Sequence, residues 1–227
     1  MDERLDKIRR AYDLVVEQHE KGVEPLVDVP DSIKSSPGYK YILENRNKLN
    51  SAAPDIIKYL SPGHGMRYLD GGCSANLANY RLDKWSSIYY GVDISQRLIA
   101  AMEAFAEQHN IPVGGLYVAD LSELLFDNDF FDIASVIGVF EYCTLDYIDK
   151  ALKELYRVMK PGARMVLDIP NQKHPYVKDM MQLEEYLGRP NILHPPLEFE
   201  KVLVQFFTID SIDDSQIMLK YFVRTLK

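Results

Sequence analysis

The chain has 227 residues, 47% of them hydrophobic and 26% charged. That is enough apolar material for one large domain with an appended segment, and too much for a chain that stays unfolded. The net charge of -8 argues against a broad phosphate-binding surface, so nucleic acid is not an expected partner. No apolar run approaches the roughly 20 residues of a membrane-spanning helix, and the opening M-D-E-R-L-D-K-I-R-R is too charged for a signal peptide. Cys73 and Cys143 each stand alone in their segments, which offers no metal site and suits a reducing compartment. These features lead us to expect a cytoplasmic protein without membrane contact.

In chain order, the first pattern is helical. Leu5, Ile8, Tyr12 and Val15 recur on one face of residues 4–19, opposite a charged face. From Gly22 to Gly38, three prolines and two glycines predict an irregular or extended stretch. Residues 39–50 read as a helix. Pro54 suits the first turn of another, with Ile56, Ile57 and Leu60 facing inward. Ser61–Gly65 stops it. We take residues 1–53 as an N-terminal helical segment with a lid role and 54–227 as the main domain.

From residue 66 the rhythm becomes strand, helix, strand, helix. Met66–Leu69, Ile88–Val92, Leu116–Ala119, Phe131–Ile137 and Ala163–Ile169 read as strands, the fourth nearly continuous in apolar residues, as a strand covered on both faces should be. Residues 77–84 read as a short helix. Ser95 and Thr144 suit the caps of two further helices. Lys160-Pro161-Gly162 predicts a sharp stop to the second, whose buried face carries Ile148, Leu152, Leu155 and Met159. Asn171–Pro196 reads as irregular with a helix near residues 177–187, and Leu197–Gln205 as another helix. Phe206–Asp213 and Ile217–Leu226 read as two strands around a polar turn. Strands alternating with helices predict an α/β, doubly wound, mostly parallel sheet of seven strands, Rossmann-like in type. The terminal hairpin requires a reversed edge strand.

Ligands of such sheets bind beyond the C-terminal ends of the strands, at the point where strand order reverses. Asp70, Asp93, Asp120 and the Gly138–Glu141 segment all fall at expected strand ends. After Asp70 the chain turns through Gly71-Gly72, where a ligand can approach bare backbone. A dinucleotide fingerprint needs glycines at its first, third and sixth positions. Counting from Gly71 gives Cys73 and Asn76, and counting from Gly72 gives Ser74 and Leu77. The turn therefore fits a nucleoside-type cofactor better than one carrying a pyrophosphate.

Four ordered stretches carry a family resemblance. M-R-Y-L-D-G-G-C-S-A-N (Met66–Asn76) resembles the first motif of class I S-adenosylmethionine-dependent methyltransferases. Gly91–Ser95, G-V-D-I-S, is similar to their second strand end. Ala119–Tyr142 resembles their third and fourth strands, and Ala151–Asp168, with its K-P-G turn, their following helix and fifth strand. The resemblance implies S-adenosyl-L-methionine as cofactor, S-adenosyl-L-homocysteine as product and a small-molecule methyl acceptor as partner. It implies that Asp70, Gly71 and Gly72 lie near the methionine part, that Asp93 accepts from both ribose hydroxyls, and that Ile94 packs on the adenine. It implies further that Asp120 accepts from the adenine amino group beside Leu121, and that Gly138 and Val139 pass close to the sulfonium. Ser74 and Asn76 stand where the family pattern has its last two glycines; they are candidates to bond the ligand or cap the helix.

Methyl transfer from a sulfonium needs an aligned nucleophile more than a fixed catalytic triad. Candidates for proton transfer follow from position: Glu141 and Tyr142 after the fourth strand, and His174, with Tyr176, after the fifth. Tyr39, Tyr41 and Arg46 reach the site only if the N-terminal segment folds over it. Two alternatives compete with a methyltransferase. One is a cofactor-binding module without activity, motivated by Ser74 and Asn76. The other is a nicotinamide-dependent reductase, motivated by Tyr156 and Lys160 at Tyr-x-x-x-Lys spacing but opposed by the missing glycine fingerprint.

Overall fold

The computed structural model describes residues 3–23 and 27–227. Glu24, Pro25 and Leu26, which belong to the stretch expected to be irregular, lie outside the described residues, as do Met1 and Asp2. In chain order the elements are α1 (Glu3–Glu20), α2 (Asp31–Lys34), α3 (Pro37–Asn45), α4 (Pro54–Leu60), β1 (Arg67–Gly71), α5 (Asn76–Tyr80), β2 (Ile88–Asp93), α6 (Gln96–Gln108), β3 (Gly115–Val118) and β4 (Phe131–Val136). Then follow α7 (Leu145–Val158), β5 (Met159–Pro170), α8 (Val177–Tyr186), α9 (Pro196–Leu203), β6 (Phe207–Asp213) and β7 (Met218–Thr225).

The strands form one seven-stranded sheet in the order β3-β2-β1-β4-β5-β7-β6. The first five strands are mutually parallel. The chain builds outward from β1 to β3, then returns to lay β4 against the other side of β1. Strand order therefore reverses between β1 and β4. The terminal strands pair with each other antiparallel, and β7 pairs antiparallel with β5. The reversed strand is thus β7, one place in from the edge, because the second strand of the hairpin rather than the first docks on β5.

Side chains alternate along each strand, so the sheet buries two faces. Leu69, Val92, Ala134 and Leu167 point to one face, where Ile148, Leu152 and Leu155 of α7 and Phe199 of α9 cover them. Tyr68, Tyr89, Ile133 and Val166 point to the other, under Ile56 and Leu60 of α4, Leu77 of α5 and Met102 of α6. Helix starts follow local chemistry. The Ser95 hydroxyl accepts from Leu98 N–H (3.0 Å) and Thr144 from Tyr147 N–H (3.3 Å), each satisfying a donor that the first turn leaves unpaired.

Two segments differ from expectation. Within 27–38 the backbone is more ordered than its prolines suggest. Pro37 occupies the first turn of α3, where its missing N–H costs nothing, and Ser36 caps that helix by accepting from Tyr39 N–H (3.2 Å). The Lys160-Pro161-Gly162 turn is not the helix stop. Helix α7 ends at Val158 and Met159 already pairs with Phe131. The next pairing joins Ile133 to Arg164, so two residues along β4 face five along β5. Lys160-Pro161-Gly162 is bulged chain inside the strand, where a proline lacking a ladder donor is tolerated.

Leu152 is fully buried between α7 and the sheet. Leu152→Ala should lower unfolding free energy by about 2–5 kcal/mol through lost burial and a residual cavity, read as a reduced urea midpoint at unchanged slope.

Candidate functional site

The reversal point between β1 and β4 opens into a cavity of about 830 Å³. Its floor is the turn after β1. Val92 carbonyl oxygen, at the end of β2, accepts from both Gly72 N–H (2.8 Å) and Cys73 N–H (2.9 Å). This pair of hydrogen bonds to one oxygen folds the glycine turn onto the neighbouring strand. Gly72 has φ +72, and a Cβ there would lie 2.3 Å from Val139 Cγ2. Only a bare backbone lets the turn meet the loop after β4 so closely. Ser74 takes φ 42, a left-handed conformation that its family position would give to glycine. Its N–H donates to Asp93 Oδ2 (2.9 Å).

Asp93 is half-buried at the end of β2 and lines the cavity. Its other oxygen accepts from Ser95 N–H (2.9 Å). Each oxygen so holds one backbone donor and retains a lone pair, which suits it to a vicinal diol. Burial pushes its carboxyl above the ordinary aspartate range. Ile94, Leu121, Gly138 and Val139 continue the wall. Gly138 has φ +70 and nothing within 4 Å of where a Cβ would stand. A flat or extended ligand can therefore lie against its backbone. A nucleoside-type cofactor fits both observations: a diol acceptor on one side and an open backbone cradle on the other.

The remaining expected residues divide. Gly72, Ser74, Asn76, Asp93, Ile94, Leu121, Gly138, Val139, Glu141 and Tyr142 line the cavity; Asp70, Gly71, Asp120 and His174 lie outside its wall. Asp70 is almost completely buried. It accepts from Tyr89 Oη (2.9 Å), Asn76 Nδ2 (3.1 Å) and Ser135 Oγ (3.3 Å), a network beneath the glycine turn. Asn76 also donates to Ser51 Oγ (3.2 Å). Asn76 thus opens α5 and ties it to Asp70. Asp120 Oδ1 accepts from Ser122 N–H (2.8 Å), Ser122 Oγ (2.8 Å) and Tyr147 Oη (2.7 Å), behind the Ala119–Leu121 edge. His174 lies between Tyr41 and Tyr176, ring centroids 4.7 and 5.5 Å away. Tyr41 donates to Gln216 Oε1 (2.9 Å), Tyr39 is buried against Val29 and Leu183, and Arg46 is exposed. Those residues hold α3 against α8 and the β6–β7 turn. Among the described residues no group of three or more His, Cys, Asp or Glu side chains could hold a metal ion, and no helix is long and apolar enough to cross a membrane.

Several cavity residues were not singled out from the sequence for a site role. Helix α1 crosses the cavity with Leu5, Ile8, Tyr12 and Val15 inward. Residues 1–53 were expected to act as a lid; within them it is the apolar face of α1 that borders the cavity. Arg4 donates to Tyr142 carbonyl oxygen (2.6 Å) and to that of Pro190; Asp13 accepts from Ser95 Oγ (2.5 Å). Glu184 and Arg189 enter from the segment after β5, where no periodic signal marks them. Behind the wall, Asp168 Oδ1 accepts from Gly138 N–H (2.8 Å), fixing the loop after β4 from below. Lys220, its register partner on β7, is buried and paired with Asp55 Oδ2 (2.5 Å). Burial raises three carboxyls besides Asp93. Asp70 is pushed up to about 6 and Asp168 to about 7. Glu141 is held well above the usual glutamate range by burial and by the charges of Glu184 and Asp168.

The fold and the nucleoside-type site at its reversal point define a class: α/β proteins that hold a nucleoside cofactor at the strand ends. Residues 69–167 match the family model described as methyltransferase domain. A 2-phytyl-1,4-naphtoquinone methyltransferase of Nostoc punctiforme is 31% identical over 132 residues, 56% of each chain. Among solved structures, magnesium protoporphyrin IX methyltransferase from Synechocystis PCC 6803, with bound S-adenosylmethionine, superposes with a TM-score of 0.68 at 13% identity, covering 99% of this chain and 98% of that one. The [4+2]-cyclase SpnF superposes at 0.67 with 14% identity, covering 96% and 94%. The chain spans about half the length, or less, of the first curated relatives it matches. Over residues 69–167 the chain is thus similar to methyltransferase domains, and its fold is shared with S-adenosylmethionine-dependent methyltransferases.

The raised carboxyls set the sign of a pH effect. Unfolded, Asp70 and Asp168 ionise near about 4; folded, they keep their protons to about 6 and about 7. The folded state binds more protons across that window, so stability falls as pH rises through it. Glu154 and Asp210, held below their ordinary range by Arg157 and Arg224, act oppositely, and their stabilisation is lost as pH falls below about 4. The urea midpoint should therefore rise from pH 8 to pH 5 and drop below pH 4. Asp168→Asn should flatten the slope between pH 4 and 7; an unchanged slope would contradict this assignment.

Proposed function

We propose that the chain transfers the methyl group of S-adenosylmethionine to a small-molecule acceptor. The observation that carries this reading is that one cavity joins the diol-accepting Asp93 and the bare Gly138 backbone to the buried acid Glu141. The cavity volume of about 830 Å³ lies toward the upper end of the range for small-molecule sites, roughly 300–1,000 Å³, with room for a cofactor and a second molecule. Relatives named for a naphtoquinone, a polyprenyl benzoquinol and a sterol support a small organic acceptor.

Bound S-adenosylmethionine supplies an activated methyl group on a sulfonium. The chain's own residues then bind and orient. Asp93 takes the ribose hydroxyls, Ile94 and the Leu121 backbone flank the adenine, and Gly72 and Ser74 receive the methionine part. Asp120, outside the wall, acts by holding Tyr147, which lines the cavity, at the adenine edge. Asp70 and Asn76 support the turn from beneath. Gly138 and Val139 border the methyl group, next to Glu141 and Tyr142. Helix α1 covers the cavity as a lid, which excludes water and confines the acceptor. Glu141, rather than the more distant His174, is the group placed to receive an acceptor proton.

A second reading is a chain that binds the cofactor and serves another reaction; the cyclase that shares the fold favours it. Isothermal titration with S-adenosylhomocysteine tests the shared premise. Asp93→Ala should weaken binding more than about tenfold, the worth of hydrogen bonds to a charged group. Absence of binding by the unmodified protein at millimolar cofactor would sink both readings.

A further inference from the structure

Within the same cavity, five polar side chains meet, one of them, Tyr12, on α1. Glu184 accepts from Tyr142 Oη (3.0 Å) and from Arg189 Nη2 (3.1 Å), and Arg189 Nε lies 2.9 Å from its second oxygen. The Arg189 guanidinium sits 4.7 Å over the ring of Tyr12, and the Tyr12 and Tyr142 hydroxyls are 3.3 Å apart. Glu141 completes the group. It is 6% exposed and lines the cavity, and its backbone carbonyl accepts from Ile192 N–H (2.6 Å). Around this polar group the walls are apolar: Leu5, Ile8 and Val15 of α1 and Leu187 after α8.

The charges of this group cancel. Arg189 neutralises Glu184 through two contacts along one edge of the guanidinium. Burial and the nearby Glu184 and Asp168 keep Glu141 protonated, hence uncharged, around neutrality. Among these five described side chains no cation is left over to meet an entering carboxylate or phosphate and no anion to meet an ammonium, so either would lose its hydration uncompensated there. A neutral hydroxyl meets no such penalty and finds phenol and carboxyl groups able to give or take a hydrogen bond. Proton transfer is most effective between acids of neighbouring strength. A carboxyl raised in this way is matched to a phenol or enol, which ionises near about 10 as tyrosine does, rather than to an alkyl alcohol.

We propose that Tyr12, Glu141, Tyr142 and the Glu184–Arg189 pair form the head-group subsite of the acceptor pocket, and that it takes an uncharged phenol or enol carried on an apolar body. This rests on the methyltransferase reading above. In the transfer, the acceptor O–H proton passes to the Glu141 carboxylate as an oxygen lone pair forms the new C–O bond to the methyl carbon. The electrons of the C–S bond return to sulfur, and the positive charge of the sulfonium is discharged. The glutamic acid then releases its proton to solvent. Activity should accordingly rise with pH as Glu141 ionises.

The test is calorimetric titration of the protein, saturated with S-adenosylhomocysteine, with 4-octylphenol, 4-octylanisole, octanoate and octylamine. Octylphenol should bind at least about tenfold tighter than each of the others, as a site built for a hydroxyl rejects analogues that leave its buried groups unpaired. Glu141→Leu should bring phenol and anisole within about threefold. Arg189→Met, which leaves Glu184 uncompensated, should turn the preference toward octylamine. S-adenosylhomocysteine affinity, measured on the same samples, reports that each variant is folded; if Arg189→Met does not bind it, Glu141→Leu decides. Equal binding of phenol and anisole, a preference for octanoate or octylamine in the unmodified protein, or no probe binding at all overturns the subsite while leaving the cofactor reading intact. Loss of S-adenosylhomocysteine binding by the unmodified protein overturns the reading beneath it.

Discussion

The ligand end of this molecule depends on one carbonyl oxygen. Val92 accepts two successive N–H groups, from Gly72 and Cys73, and the next donor along, Ser74 N–H, goes to Asp93. Three consecutive amides are thereby committed to the end of β2. The turn is pulled flat across the strand ends instead of rising into the cavity. Everything else at the site follows from that flatness. Val139 can close to within contact of Gly72, Asn76 can start α5 directly, and the carboxylate of Asp93 is held with one lone pair of each oxygen outward. A glycine at position 74 would reach the same conformation at less cost, because a side chain at φ 42 is mildly strained. The hydrogen bond to Asp93 is what offsets that strain.

The acids around the cavity divide by the same geometry. Asp70, which receives three donors from below, and Asp168, which receives Gly138 N–H and feels the charge of Lys220, are structural supports whose burial costs are offset in part by those partners. Asp168 holds Gly138, and through it the loop that carries Val139 and Glu141. Glu141 differs, because its neighbours are other carboxyl groups and it borders open space. A carboxyl kept protonated beside a cavity is ready for proton exchange. The distinction between support and participant comes from what each acid faces, not from its residue type.

Much of the fold was legible. Strand-helix alternation from Met66 onward, the caps at Ser95 and Thr144, and the hairpin at the end are local signals, and local hydrogen bonding realises them. The Lys160-Pro161-Gly162 turn shows where local signals mislead: the same residues that end helices also make a bulge, and pairing with β4 decided between them. At the site, the turn after Asp70 and the groups at Asp93, Gly138 and Glu141 could be found because strand ends converge by topology. Asp70 could not be separated from Asp93 in advance, since whether an acid points into a cavity or under a turn depends on Tyr89 and Ser135 from other strands. Tyr12, Glu184 and Arg189 were hidden for a further reason. Tyr12 lies about 170 residues before the other two along the chain, and they meet only because α1 and α8 with the segment after it close over the same opening.

The central claim is that one cavity holds a nucleoside cofactor at the β1/β4 reversal and an acceptor under α1. A crystal structure of the protein with S-adenosylhomocysteine tests it most directly. Ribose hydroxyls should lie within hydrogen-bond distance of Asp93, with the sulfur beside Val139, facing Glu141. A cofactor bound elsewhere on the surface, or lying in this cavity with its ribose away from Asp93, would contradict it.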